Sequence, residues 1–323
     1  MTTAEILDEF PKLSALVVGD ICLDRWCIYD PSLAEPSRET GIPRIGVVTV
    51  EVTPGAGGTV ANNLAALGVG RVAVLGAIGN DGFGFELKQA LRARGMEPEM
   101  LVETDSLQTF TYTKVINGTT GVEDYPRLDF VSVKPLAADV EAELVNRLWS
   151  YAAEFDVIIV SDQAETDQGG VVSPALRQAL AGIAEACPQK VIWVDSRMRP
   201  ELFRGVIVKP NEDEAHAALR RLGAQNYRQL FETIQGPLLL VTHGGDGVEL
   251  IDAAGEQRVH TTSVANPVDI CGAGDSFSAG AACAFAVTGN AAEAARFGNL
   301  VASITIMKKG TGTASPAELL AKA

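Results

Sequence analysis

Aromatic residues make up only 6% of this 323-residue chain, and histidine occurs three times. The histidines stand far apart, with no HExxH or similar spacing, so they offer no zinc-ligand set. Cysteine is sparse and odd in number, Cys22, Cys27, Cys187, Cys271 and Cys283, with no CxxC pair. That excludes a secreted disulfide framework and points to a reduced, cytoplasmic setting with thiols acting as small buried hydrophobes. Long apolar runs are missing too. The stretch from Ala279 to Val287 falls well short of the roughly 20 residues that cross a bilayer, so no membrane partner is expected. The opening segment MTTAEILDEF is acidic and carries no secretory-signal pattern. Cationic charge is in short supply, 26 Lys and Arg against 41 Asp and Glu, for a net −15. Such a surface repels nucleic acid and anionic lipid. A small phosphorylated ligand stays open, because a few local amides and cations can hold one.

What the chain does hold is apolar material, 47% of its residues, enough for one large core or a core with a small appendage. Short Val/Ile-rich runs at 13–20, 72–79, 156–162, 190–196, 205–211 and 237–244 read as strands covered on both faces. Helical patterns fall between and after them, at 59–68, 83–94, 139–153, 173–186, 212–222, 226–235, 275–288 and 291–307. The alternation predicts an α/β fold, a doubly wound sandwich around a parallel sheet. Residues 44–53, 109–116 and 127–133 break the pattern as strands without intervening helices. They predict a small antiparallel flap, inserted as segments of about 24–53 and 107–135 in a single domain over 1–323. Asn117-Gly118 supplies a hairpin turn signal within it.

The segment with the most chemical content is Asn266 to Gly280, NPVDICGAGDSFSAG. Gly272 and Gly274 bracket a tight turn just before a small-residue helix. The unpaired N–H groups of such a helix start point at the positive end of its dipole and form a nest for anionic oxygens. Asp275, in the first turn, stands where a carboxylate can take a proton from a hydroxyl attacking phosphorus. A helix N-cap after a glycine turn explains the same residues, and GAGD alone does not separate the two readings. There is no GxxxxGK[ST] and no strand-anchored GxGxxG.

Other strand ends add polar groups. Thr242-His-Gly-Gly-Asp-Gly247 bends where a backbone can approach nucleotide phosphates, or is a plain hairpin. Lys209-Pro-Asn-Glu-Asp-Glu214 places Glu214 where it can hold a Mg²⁺-bound water, or merely starts a helix with acids. Gly19-Asp20 with Asp24, Gly57-Gly58-Thr-Val-Ala-Asn62-Asn63, and Gly79-Asn-Asp81-Gly-Phe-Gly84 offer directional groups for a hydroxyl-rich ligand, or turn residues.

In this order, the GD…D start, the GG…AN segment, the G-x-D-x-x-G turn, KPNxxE and DxxGAGD resemble the ribokinase-like (PfkB) carbohydrate kinases over nearly the whole chain. The resemblance implies a ribokinase-like sandwich whose β lid often joins a homodimer, and phosphoryl transfer from ATP with Mg²⁺. It implies Asp275 as catalytic base and Gly272, Ala273 and Gly274 as the anion hole. Asp20, Gly58 and Asn62, and more weakly Asp24, match sugar-contacting positions. Asn211 and Glu214 match the Mg²⁺ and phosphate region, and Thr242, Gly244 and Gly247 the nucleotide-phosphate loop. Asn299 lies where the last helices flank the base. Asp269 is similar to a position that in some members helps bind K⁺. A non-catalytic sugar or nucleotide sensor on the same scaffold is the alternative outside enzymes.

GDICLDRW, GGTVANNLAALG, Arg127-Leu-Asp-Phe130, Ser161-Asp162 and KKGTGTAS look most like the heptose-phosphate kinases, which phosphorylate C1 of a heptose 7-phosphate. On that resemblance Arg127, then Arg197, then Arg38 are candidates for the substrate's own phosphate, since arginine forms forked bonds to it. Residues 31–43 depart from the usual flap sequence, Arg197 stands where lysine is commoner, and no nucleotidyltransferase region follows within these residues. A hexose, a keto-deoxy sugar acid or a nucleoside is the competing substrate.

Overall fold

In the computed structural model, which describes residues 1–261 and 264–323, the apolar runs assemble into one eight-stranded sheet. In chain order the strands are β1 (Ser14–Gly19), β2 (Ile21–Tyr29), β3 (Val47–Ala56), β4 (Arg71–Leu75), β5 (Ala77–Gly79), β6 (Val102–Thr104) and β7 (Thr111–Asn117). Then follow β8 (Leu128–Phe130), β9 (Val157–Asp162), β10 (Val191–Ser196), β11 (Ile207–Val208), β12 (Leu239–Thr242), β13 (Val248–Asp252) and β14 (Gly255–Val259). The helices are α1 (Thr3–Glu9), α2 (Gly57–Ala66), α3 (Gly82–Arg92), α4 (Ala138–Tyr151) and α5 (Pro174–Ala186). They continue with α6 (Glu212–Leu222), α7 (Tyr227–Ile234), α8 (Ala273–Thr288), α9 (Ala291–Thr305) and α10 (Pro316–Lys322).

The main sheet runs β14-β13-β12-β11-β10-β9-β1-β4. From β4 to β12 all neighbours are parallel, and β13 and β14 close one edge antiparallel. Alternate residues of each central strand enter different cores. Val17, Ile159 and Trp193 pack with Leu64 of α2, Phe277 of α8 and Phe297 of α9. Leu16, Val18, Ile158 and Val160 pack with Leu144, Leu180 and Leu219 on the opposite side. Two covered faces are why these strands read as unbroken apolar runs. Helix α8, almost all Ala, Gly and Ser at its centre, is buried over that stretch. A Cβ on Gly280 would stand 2.7 Å from Val301 Cγ2, so the small residues let α8 and α9 pack in close contact.

Three features differ from the sequence expectation. The run at 72–79 divides into β4 and β5, and β5 pairs with β6 in a separate two-stranded sheet. The antiparallel edge, α1 and α10 carry no strong apolar period, and only packing against the larger core fixes them. Last, the flap is mixed rather than antiparallel. Its order is β3-β2-β7-β8, and the central pair β2–β7 is parallel. Both strands leave the main domain in the same direction, β2 directly after β1 and β7 after the β5–β6 pair, so antiparallel pairing is not available to them. Asn117 does make a turn, its side-chain oxygen accepting the Thr119 and Thr120 amides at 2.9 and 3.3 Å. The return strand is β8, past a longer loop than a two-residue hairpin. No helix among the described residues is long and apolar enough to cross a membrane.

Candidate active site

The carboxyl ends of the parallel strands face one edge of the sheet, the usual place for ligands in open α/β folds. There Asp195, near the end of β10, meets Lys209, just past β11, at 2.8 Å. Both are buried, and Ser278 of α8 donates its hydroxyl to the same carboxylate oxygen at 3.1 Å. Burial works against the Lys209 charge, but Asp195, Glu214 and Asp275 together raise its pKa above the ordinary lysine value. The ion pair is fixed at the floor of the site, and it sits against the start of α8.

That start is set by Gly272, which has φ +76° and lies in the left-handed region. A Cβ there would stand 3.3 Å from both Thr59 Cγ2 and Thr311 Cγ2. Of the three residues expected to form an anion hole, Ala273 directs its N–H to the Ile270 carbonyl at 3.2 Å. The N–H groups of Gly272, Gly274 and Asp275 have no backbone acceptor among the described residues. An anion nest therefore remains, with Asp275 contributing an amide in place of Ala273. The Asp275 carboxyl is pushed up to about 7, chiefly by burial and next by the Asp195 charge, with Lys209 and Arg197 pulling the other way. A carboxylate poised near neutrality is suited to general-base work.

Asn211 and Glu214 form a capping box on α6. The Glu214 amide donates to Asn211 Oδ1 at 2.9 Å and the Asn211 amide to Glu214 Oε2 at 2.8 Å. Burial and Asp195 raise Glu214 to about 7. Its second carboxylate oxygen has no hydrogen-bond partner among the described residues and Glu214 lines the cleft described next, so capping and ligand binding coexist here.

Two cavities meet at Asp275. The larger, of about 740 Å³, is lined by Thr242, Gly244, Gly247, Asn211, Glu214, Asn299, Lys209 and the residues 272–275. The smaller, of about 170 Å³, lies under the lid, between Asp24, Trp26, Tyr112, Lys114, Arg127 and Glu165 on one side and Asp275 on the other. Gln163, Arg197, Gly272 and Asp275 belong to both. Two ligands placed in them approach one another at the carboxylate and the nest. Asn299 Nδ2 is buried without a partner, a donor available to whatever fills the large cleft.

Every nucleotide-side residue expected from the sequence lines the large cleft, and Asp24, Arg127 and Arg197 line the small one. Asp20, Gly58, Asn62 and Asp269 line neither. Asp20 accepts the backbone amides of Gln163 at 2.8 Å and Val171 at 2.7 Å. Burial and nearby Asp162 raise it to about 6, and it holds Gln163 where both cavities meet. Gly58 is packing: a Cβ would come within 2.5 Å of Pro54 Cβ. Asn62 is part-buried in α2, three residues past Thr59, which does line the small cavity. Asp269 accepts the amides of Cys271 at 2.9 Å and Gly310 at 3.0 Å, tying two loops together. Asp81 caps α3 and binds Thr109, a structural tie. Arg38 is exposed and lines neither cavity. Lys114, Tyr112, Trp26, Glu165 and Thr59 were not singled out as ligand contacts. The strict alternation of Thr-Tyr-Thr-Lys in β7 carried the signal for Tyr112 and Lys114, since residues two apart share a face.

A large cleft at the strand ends, an amide nest and a poised carboxylate facing a second cavity make a site where two small ligands can meet. Residues 14–318 match the model of the pfkB family carbohydrate kinases, and the chain belongs to that family. Among curated relatives it is 32% identical over 317 residues to the bifunctional protein HldE of Trichlorobacter lovleyi, covering 96% of this chain and 62% of that protein. It is 31% identical over 320 residues to the bifunctional protein HldE of Geobacter sulfurreducens, covering 95% and 62%. The chain thus spans under two thirds of the length of these relatives. Its fold is shared with a ribokinase from Thermotoga maritima at TM-score 0.67 and 19% identity, covering 96% and 98% of the two chains. Phosphofructokinase-2 from Escherichia coli, in complex with potassium, aligns at 0.70 and 18%, covering 96% and 97%. Arabidopsis thaliana ribokinase complexed with ribose and ATP aligns at 0.66 and 18%, covering 96% and 98%.

Proposed function

We propose that this chain transfers the γ-phosphoryl group of ATP to a hydroxyl of a sugar phosphate, with C1 of a heptose 7-phosphate as the leading acceptor position. The observation that carries this reading is the meeting of the two cavities at Asp275 and Arg197. ATP fits the large cleft, its phosphates along the Thr242–Gly247 bend and its terminal phosphoryl at the nest of Gly272, Gly274 and Asp275. The acceptor fits the small cavity with one hydroxyl at the Asp275 carboxylate. Asp275 takes the proton as that oxygen attacks, and the amides with Lys209 and Arg197 stabilise charge developing on the phosphoryl oxygens. The ribokinase-type relatives and the sugar-sized small cavity support this arrangement.

Mg²⁺ keeps several waters and rides on phosphate oxygens rather than in an all-protein cage. Glu214, through its unpartnered oxygen, and Asn211 would hold that ion's waters, and bound Mg²⁺ would neutralise phosphate charge. Asp269 keeps lone pairs beyond its two amide bonds, so K⁺ at that loop is part of the proposal. The outer edge of the lid, where Val47, Val48 and Val50 are exposed on β3, is proposed to pair with a second copy of the chain.

The test is ADP formation across a panel of heptose 7-phosphate, hexose 6-phosphates, their parent sugars, a keto-deoxy sugar acid and a nucleoside. Turnover highest with a phosphorylated sugar supports the reading. Preference for the sugar acid or nucleoside overturns the acceptor assignment, and no ADP with any acceptor overturns the reaction.

A further inference from the structure

The small cavity contains a cation without a counter-ion in contact. Three of its four cations are engaged. Arg25 pairs with Glu86 at 3.0 Å and lies over Phe83. Arg127 forks onto Asp129 at 2.7 and 2.6 Å, with its guanidinium 4.3 Å from the Tyr112 ring centre. Arg197 pairs with Glu165 at 3.0 Å, and Glu165 also accepts the Tyr112 hydroxyl at 2.9 Å. Lys114 forms no ion pair and no hydrogen bond with any described residue, though it is part-buried and lines the cavity. It stands in register with Trp26 across the β2–β7 pair, on the same lid face as Tyr112 and Asp24.

The Lys114 ammonium is part-buried, and the Asp24 carboxyl on the same lid face acts on it through space without a hydrogen bond or ion pair, which leaves its donors open to a ligand. Of the three arginines that sequence reasoning put forward for a resident anion, Arg127 and Arg197 already hold carboxylates and Arg38 lies outside the cavity. Resting on the kinase reading above, we infer that Lys114 is the specificity-determining residue that receives the acceptor's own phosphate group. The free η-nitrogen of Arg127 is available beside it as a further donor. The cavity then divides its work. Asp275 addresses the reacting hydroxyl, Asp24 is a hydroxyl-directed acceptor, and Lys114 meets the anionic end. In a chain of net charge −15 long-range forces oppose a dianion, so one local cation decides whether a phosphorylated sugar is accepted.

The experiment compares the wild-type chain with Lys114→Gln and Lys114→Arg, using a heptose 7-phosphate, a hexose 6-phosphate and the parent sugars. Steady-state turnover and calorimetric binding of each acceptor are both measured. Lys114→Gln is expected to raise KM and Kd for phosphorylated acceptors by about ten- to hundredfold, the scale of one charged hydrogen bond. KM for ATP and for any parent sugar should change by less than about twofold, and Lys114→Arg should recover most of the loss. An unchanged ratio of phosphorylated to parent-sugar affinity in Lys114→Gln overturns the assignment while leaving the kinase reading intact. Equal weakening toward ATP and parent sugars also overturns it, because that is damage to the lid. Calorimetric binding that depends on Lys114 without any turnover upholds the anion site and overturns the kinase reading instead.

Discussion

The pH dependence of turnover is the sharpest check on the roles of Asp275 and Glu214. Each carboxyl is raised to about 7 by burial and by the fixed Asp195 charge, against the pull of Lys209. The proposed mechanism needs both ionised, Asp275 to accept a proton and Glu214 to hold the Mg²⁺ waters. A group with pKa 7 is about one-tenth ionised at pH 6, so two such groups together leave about one-hundredth of the enzyme competent. The logarithm of kcat/KM for ATP should therefore climb with a slope approaching 2 below pH 6 and level off above pH 8. Glu214→Gln removes one titration and should lower the acid slope to about 1. Asp275→Asn should lower kcat by roughly 10²–10⁴ and abolish the limb that belonged to it, with circular dichroism unchanged. Removing the Asp195 charge as Asp195→Asn takes away the leading electrostatic cause of both shifts, so the limb should move to lower pH by about one unit. The assay is ADP release at saturating acceptor from pH 5 to 9. A flat profile in the wild type, or a limb that stays in place in both Asp275→Asn and Glu214→Gln, would refute the reasoning.

Other outcomes follow from the packing. Asp195→Ala leaves the Lys209 ammonium buried and unpaired, and should destabilise the protein by about 3–5 kcal/mol in urea unfolding. The double change Asp195→Leu, Lys209→Met should recover much of that stability yet no activity, and equal stability of the single and double variants would count against a buried-charge penalty. Val48→Glu with Val50→Glu, on the exposed edge of β3, should convert a dimeric wild type to monomers in sedimentation. The same mass for both proteins would remove the lid edge from any self-association. Phe110 and Tyr112 line inner cavities and lie away from that edge.

The sequence alone determined the layers and the active edge. Continuous runs such as VIIVSD and VIWVDS can only be strands covered twice, and both are buried along their whole length. GAGD had to be a turn into a helix because Gly272 occupies the left-handed region that glycine favours. KPNxxE and the Thr242–Gly247 bend converge because parallel strands deliver their carboxyl ends to one side. Local patterns could not say how the lid strands pair, since direction in β2–β7 depends on where each strand leaves the core. Nor could they say which polar groups remain free. Asp20 looked like a ligand contact, and its carboxylate is occupied by two amides from a segment more than a hundred residues away. Arg127 and Arg197 looked available, yet Asp129 and Glu165 hold them. Lys114, one polar residue in an alternating strand, became the cation without a partner in contact. A side chain's type and spacing are written in the sequence, but whether its charge is already satisfied depends on groups that only the tertiary fold brings within hydrogen-bond reach.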